Sequence, residues 1–170
     1  LLLAGLPEDH NIAEVTERLD DDRSPFQNVF LQECDRMNSL LREMRRSLSE
    51  LDLALKGALS MTTQLAEIGD ELVLERVPEQ WAAVNFLSSR PLGSWFSNLQ
   101  DRNQQLSEWT ADLQVPKCVW ISGLFNPTAF LTAVLQSIAL ANSFDLDHMV
   151  LTTEVLKKQP EHIEAAAREG

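Results

Sequence analysis

The strongest constraint on the fold is an apolar seam. Phe30, Cys34, Met37, Leu41, Met44, Leu48, Leu51 and Leu55 follow one another at alternating intervals of four and three. Only a helix gathers such positions onto one stripe, and the pattern holds for more than three heptads. Arg42, Arg45, Arg46 and Glu50 fall off the stripe, and Asp52 and Lys56 stand i, i+4 in the favourable order. The start is equally legible. Ser24 is a helix cap, Pro25 suits the first helical position, and Gln27 completes a capping box. The run Asp20-Asp21-Asp22 ahead of it is a solvated turn whose charge favours the helix N-terminus. Gly57 offers a kink or an end. A helix of this extent is roughly 50 Å long, wider than an ordinary small domain, so part of it is expected to lean on something outside the chain. A core helix of a bundle and one member of a two-stranded coiled coil both satisfy the pattern.

The other segments predict a mainly α protein. Leu65, Ile68 and Leu72 mark a helix over about 62–74, and Pro78 restarts the chain with Trp81 as apolar anchor. Leu92, Trp95, Leu99, Leu106 and Trp109 repeat the helical spacing, with Arg102 interrupting. That stripe is a core face or an aromatic binding face. "LQVPK" then breaks the helix. "CVWIS" and "DLDHMVLTTEVL" are β-like runs, the second near the C-terminus. Two strands alone make a marginal sheet, so a small β element is expected, with more sheet beyond Gly170.

Between those runs lies "CVWISGLFNPTAFLTAVLQ", residues 118–136. An apolar run, a glycine and a helix start can form a phosphate-binding loop. Such a loop needs glycines that let the backbone approach, then Lys followed by Ser or Thr. None of the six glycines precedes that pair, and Gly123 is followed by Leu, Phe and Asn. Asn126 instead caps the helix, and Pro127 takes its first position. Trp120 and Gly123 belong to the same turn. No catalytic residue, cofactor ligand or metal ligand is assigned. His10, His148 and His162 are scattered without ligand spacing. No Gly-x-Ser-x-Gly occurs, and Asp20-Asp21-Asp22 lacks the spacing of a calcium loop.

The chain has 170 residues, 44% hydrophobic and 24% charged, enough for one domain or two small ones. Its net charge of −12 disfavours nucleic acid and anionic membranes, which need a basic footprint. Cys34 and Cys118 are expected to be buried free thiols, with one disulfide as the alternative. "LLLAG" is too short for a signal segment, and no run reaches a membrane span. A soluble, intracellular protein is expected. The absence of an initiator Met suggests a piece of something longer.

Taken in order, "GLPEDHNIAEVTERLDDDRSPFQNVFLQECDRMNSLLREMRRSLSELDLALKGALSMT", "VPEQW", "RPLGSWFSNLQDR" and "VWISGLFNPTAFLTAVLQ" resemble the C-terminal region of dynein heavy chains. The spelling of the first half is closer to the axonemal than to the cytoplasmic type. The resemblance covers nearly the whole sequence. It departs at Asn126, where the family usually has an aromatic residue in a "GFFFP"-like turn.

The resemblance implies a place in a ring of six AAA+ modules. Residues 1–60 would be the small helical part of the sixth module. Residues 61–170 would be the helical portion of the C-terminal domain and its first strands. The sixth module does not hydrolyse ATP, and the C-terminal domain braces the ring. The implied function is a non-catalytic structural module of an ATP-driven, minus-end-directed microtubule motor of cilia and flagella. ATP and Mg would sit in other modules, with no cofactor in this segment. The implied partners are the other AAA+ modules of the same heavy chain and dynein intermediate and light chains. The microtubule would be met only through distant parts, consistent with the acidic charge here. Without the resemblance, the residues also suit a free-standing acidic helical scaffold protein. Ser24, Gln27, Met37, Leu41, Met44, Leu48, Trp95, Trp109, Trp120, Gly123, Asn126 and Pro127 are the residues expected to hold the structure.

Overall fold

A computed structural model describes residues 2–19, 21–84, 86 and 88–163. Seven helices occur among them: α1 (Leu2–Gly5), α2 (Ile12–Glu17), α3 (Pro25–Leu55), α4 (Thr63–Val73), α5 (Glu79–Ala82), α6 (Leu92–Asp112) and α7 (Pro127–Asn142). The protein is mainly α. Asp20 of the acidic turn and the end of the sequence at 164–170 lie outside the described residues.

α3 shows how local chemistry sets an element. Gln27 N–H donates to Ser24 Oγ at 3.3 Å, and Ser24 N–H donates to Gln27 Oε1 at 3.0 Å, so two orphan donors are met reciprocally. Its 31 residues give a length of about 46 Å. Gly57 ends it, with φ +75. Ala58 N–H reaches Leu53 C=O at 2.9 Å and Gly57 N–H reaches Ala54 C=O at 3.0 Å, the Schellman pattern that a left-handed residue closes.

The seam from Phe30 to Leu51 is buried, and the protein's own residues bury it. α3 is therefore a bundle helix and needs no second copy along that stripe. Leu55 corrects the pattern: it is 72% exposed. Leu65 and Ile68 of α4 close over Leu51, with Ala54 and Leu72 at the edge. Their cover stops short of Leu55.

Compactness groups Leu1–His10 with Asp35–Gln104 as one unit, and Asn11–Cys34 with Gln105–Gly170 as another. The first is built on aromatic stacking. Trp95 lies against Trp81 (centroids 5.8 Å, 24°) and against Phe86 (5.7 Å, 18°). Trp81 donates its indole N–H to Ser47 Oγ at 2.9 Å, which satisfies the polar end of a fully buried side chain. Arg102, the break in the α6 stripe, is also buried. Its guanidinium carbon sits 3.7 Å from the centroid of Phe86, and its Nε donates to Asn98 Oδ1 at 2.9 Å. A cation over a ring face, with a hydrogen bond, lets a charge occupy a core position. The stripe is thus a core face.

In the second unit Phe30 stacks on Trp109 (4.9 Å, 17°) and meets Phe130 edge-on (6.0 Å, 71°), while Phe26 also packs on Phe130. Arg18 donates to Thr110 C=O at 2.8 Å and Ala111 C=O at 2.7 Å. These are carbonyls that the last turn of α6 leaves open, and a cation there also suits the helix dipole. Leu113, the residue after α6, is left-handed at φ 61 and buried.

The expected β element is not seen among the described residues, which contain no strand. In "CVWIS" the backbone turns into a 3₁₀ segment, Ile121–Gly123. In "DLDHMVLTTEVL" a 3₁₀ turn, Leu146–His148, is followed by residues without regular structure. Val150 and Val155 there are 81% and 91% exposed. β-branched residues confer propensity only; a strand also needs a partner for its N–H and C=O groups. The thiols differ from expectation too. Both are free, but only Cys34 is buried, and Cys118 is exposed.

Candidate functional site

The most elaborately held backbone in the second unit is the turn into α7. Two polar side chains from two helices grip it. Gln105 on α6 treats Trp120 as a strand neighbour would: its Oε1 accepts Trp120 N–H at 2.7 Å and its Nε2 donates to Trp120 C=O at 3.3 Å. The Trp120 indole then folds over Gly123. A Cβ built on Gly123 would lie 2.4 Å from the indole Cε3, so glycine is required for space. Its φ is not in the left-handed region.

The second grip comes from Glu33 on α3, which is 1% exposed. Its Oε2 accepts Phe125 N–H at 2.5 Å and its Oε1 accepts Asn126 N–H at 2.8 Å. A buried carboxylate is tolerable only when hydrogen bonds replace its water, and two main-chain donors do so here. Asn126 is the cap: its Oδ1 accepts Ala129 N–H at 3.1 Å, with Pro127 in the first turn. Phe130, one turn on, anchors α7 against Phe26 and Phe30.

This arrangement answers the question raised by residues 118–136. A phosphate loop aims backbone N–H groups, and the positive end of a helix, at an external anion. Here Phe125 and Asn126 aim theirs at an anion the protein supplies itself. The donors are spent on Glu33. Beside it, burial, and secondarily the charge of Glu33, push the Cys34 thiol up to about 12. A thiol so placed stays protonated and inert at neutral pH.

Of the residues singled out from the sequence, the turn unites Trp120, Gly123, Asn126 and Pro127. Trp109 lies in the same unit under Phe30. Ser24 and Gln27 hold the start of α3, and Gln27 Nε2 also reaches Leu113 C=O at 3.4 Å. Met37, Leu41, Met44, Leu48 and Trp95 belong to the core of the first unit and do not join the turn. Sequence reasoning missed Glu33 and Gln105. Glu33 carried a signal, since it stands three residues after Phe30 and four before Met37, on the buried face of α3. Gln105 carried none. Among the described residues no group of three or more His, Cys, Asp or Glu is placed to hold a metal ion.

The sequence matches, over residues 1–170, the family defined by the C-terminal domain of dynein heavy chains. The protein belongs to that family. It is 50% identical over 167 residues to the dynein beta chain of the flagellar outer arm of Chlamydomonas reinhardtii, an alignment that takes in 97% of this sequence and 4% of that one. It is 44% identical over 169 residues to a ciliary dynein beta chain of Tripneustes gratilla, and 43% identical over 169 to dynein axonemal heavy chain 17 of Mus musculus. Each of these two alignments takes in 99% of this sequence and 4% of the relative. The 170 residues thus span about 4% of the length of the curated relatives they match. In this dynein C-terminal domain, helices α3 and α6 supply the frame, and the turn into α7 is a place where buried charge fixes backbone.

Proposed function

We propose that this protein is a non-catalytic bracing module of an axonemal dynein heavy chain, a minus-end-directed microtubule motor of cilia and flagella. One observation carries the non-catalytic part. The backbone donors before α7, where a nucleotide loop would hold phosphate, are occupied by the Glu33 carboxylate. Family membership, with relatives named for ciliary and flagellar arms, supports the rest.

On this reading residues 1–60 serve as the small helical part of the sixth AAA+ module and residues 61–170 as the beginning of the C-terminal domain. Its partners are the other modules of the same heavy chain, with intermediate and light chains in the assembled arm. ATP and Mg act in other modules, and the microtubule is met elsewhere. The exposed, irregular segment after His148 takes up strand structure against a β-rich part of the heavy chain. Its outward Val150 and Val155 are the side chains such a partner would cover.

Titration of the 170-residue protein with a fluorescent ATP analogue and Mg tests the non-catalytic part. No saturable binding is expected up to millimolar nucleotide. Saturable micromolar binding that survives removal of contaminating ATPases would overturn it.

A further inference from the structure

Within the first unit, residues 2–10 form a strap that runs along α3 in the opposite direction. Leu2, Leu3 and Ala4 border a cleft of about 650 Å³ together with Leu51 and Leu55, near the end of α3. Further back on α3, Arg45 donates to Pro7 C=O and to the Asp9 carboxylate, both at 2.8 Å. Two turns earlier still, Asn38 accepts His10 N–H and donates to His10 C=O, each at 2.8 Å. α6 adds a tie from Gln100 to Gly5 C=O at 3.1 Å. Pro7 has no N–H and cannot carry α1 onward. Among the described residues no turn or cap bond joins Leu6–His10 to other main chain. Backbone groups left this way need other partners, and side chains of α3 and α6 supply them. None of residues 2–10 is buried, whereas Met37, Leu41 and Met44 of α3 are fully so.

We propose that residues 2–10 are a latch that swings off α3 and α6 as one unit while the helices stay folded, with Asn38 as its catch. The catch differs in kind from the other ties. The Arg45–Asp9 and Gln100–Gly5 bonds are exposed, where water competes and a pair adds little. Asn38 is 6% exposed, and its amide takes both main-chain groups of one residue. Asparagine is a poorer helix former than the Met and Leu around it, and the hold on His10 accounts for its place in α3. Opening exchanges these hydrogen bonds for bonds to water instead of losing them. The strap itself brings out little apolar surface. Segments of this kind, with few buried apolar contacts and solvent-facing hydrogen bonds, open locally well below the free energy of global unfolding. Such a latch gives the domain a yielding point beside Leu2 while the bundle holds. It does not depend on the function proposed above.

Backbone amide NMR spectra of the 170-residue protein, of Asn38→Leu and of Gln100→Ala test this. Leucine suits the helix and removes both bonds to His10. In Asn38→Leu the amide resonances of Leu3, Gly5 and Leu6 are expected to move together to random-coil positions, while those of α4 stay in place. In Gln100→Ala the resonances of Leu3 and Leu6 are expected to remain near those of the unmodified protein. Changes in Asn38→Leu confined to His10 and its immediate neighbours would overturn the latch, because each tie would then act alone. Release of the whole strap by Gln100→Ala would overturn Asn38 as the catch. Should Asn38→Leu not fold, Asn38→Asp decides, since it keeps an acceptor for His10 N–H and loses the donor to His10 C=O. Common displacement of Leu3, Gly5 and Leu6 there supports the latch, and displacement at His10 alone overturns it. Loss of the fold in both variants would show that the strap cannot part from the bundle, and would overturn the proposal as well.

Discussion

The carboxylate of Glu33 accepts the backbone N–H of Asn126 at 2.8 Å, fixing the start of α7 to the first third of α3 by a buried charge. Glu33→Ala removes the carboxylate acceptor of two part-buried donors. It is expected to cost about 2–5 kcal/mol, given the strength of hydrogen bonds to charged groups and the penalty for unsatisfied ones. Glu33→Gln keeps one acceptor oxygen and should cost less. Urea denaturation of the three proteins checks the order, and a Glu33→Ala midpoint equal to the parent's would show that the grip is idle.

The cap at Asn126 is expected to contribute about 0.5–2 kcal/mol, read from Asn126→Ala by thermal melting. Capping rules alone would accept Asp equally. Here Asp would bring a second carboxylate to a turn already holding Glu33, and like charges so close disfavour ionisation. Asn126→Asp should therefore melt below Asn126→Ser at neutral pH. The opposite order would contradict the role given to Glu33.

Gly123→Ala forces a methyl into the Trp120 indole. Overpacking of this kind is expected to cost about 1–3 kcal/mol. The same change over a Trp120→Ala background should cost little, because the obstacle is gone. A double-mutant cycle by denaturant unfolding measures the coupling. Additive effects would mean that glycine is needed for some other reason.

On α3, Leu41→Ala and Leu48→Ala are expected to cost about 2–5 kcal/mol as deletions from a packed core. Leu55→Ala should fall within about 0.5 kcal/mol of the parent, as exposed positions do. The contrast separates the part of the heptad pattern that is buried from the part that only continues its rhythm. Equal losses at Leu48 and Leu55 would show that the seam extends past its observed end.

Alkylation with iodoacetamide at mildly alkaline pH should label Cys118 and spare Cys34 until the protein is unfolded. The cause is the burial that pushes the Cys34 thiol up to about 12. Rapid labelling of both cysteines in the folded protein would contradict it.

Helices and their starts were legible because the signals are local. Ser24 with Gln27, and Asn126 with Pro127, are complete within four residues, and the spacing of Phe30 through Leu51 states which face is buried. Where the seam ends was not legible. Leu55 keeps the rhythm, and its exposure depends on how far α4 reaches, a tertiary fact. The strands are missing among the described residues for the same reason, since Val150 and Val155 have the propensity without a strand partner there. In the candidate site the apolar residues and the cap could be named in advance. Glu33 grips the turn from tens of residues away and Gln105 from a separate helix, so their partners emerge only when α3 and α6 are brought to it. Arg102 looked like an interruption of the α6 stripe until Phe86 supplied the ring beneath it.

On the function proposed above, this domain transmits or restrains motion in a dynein heavy chain without itself handling nucleotide. The most direct test is a full-length heavy chain with Glu33→Ala, set against its parent for nucleotides bound per molecule and for microtubule gliding velocity. The predicted result is an unchanged number of bound nucleotides with gliding slowed severalfold. A loss of bound nucleotide together with unchanged gliding would contradict it.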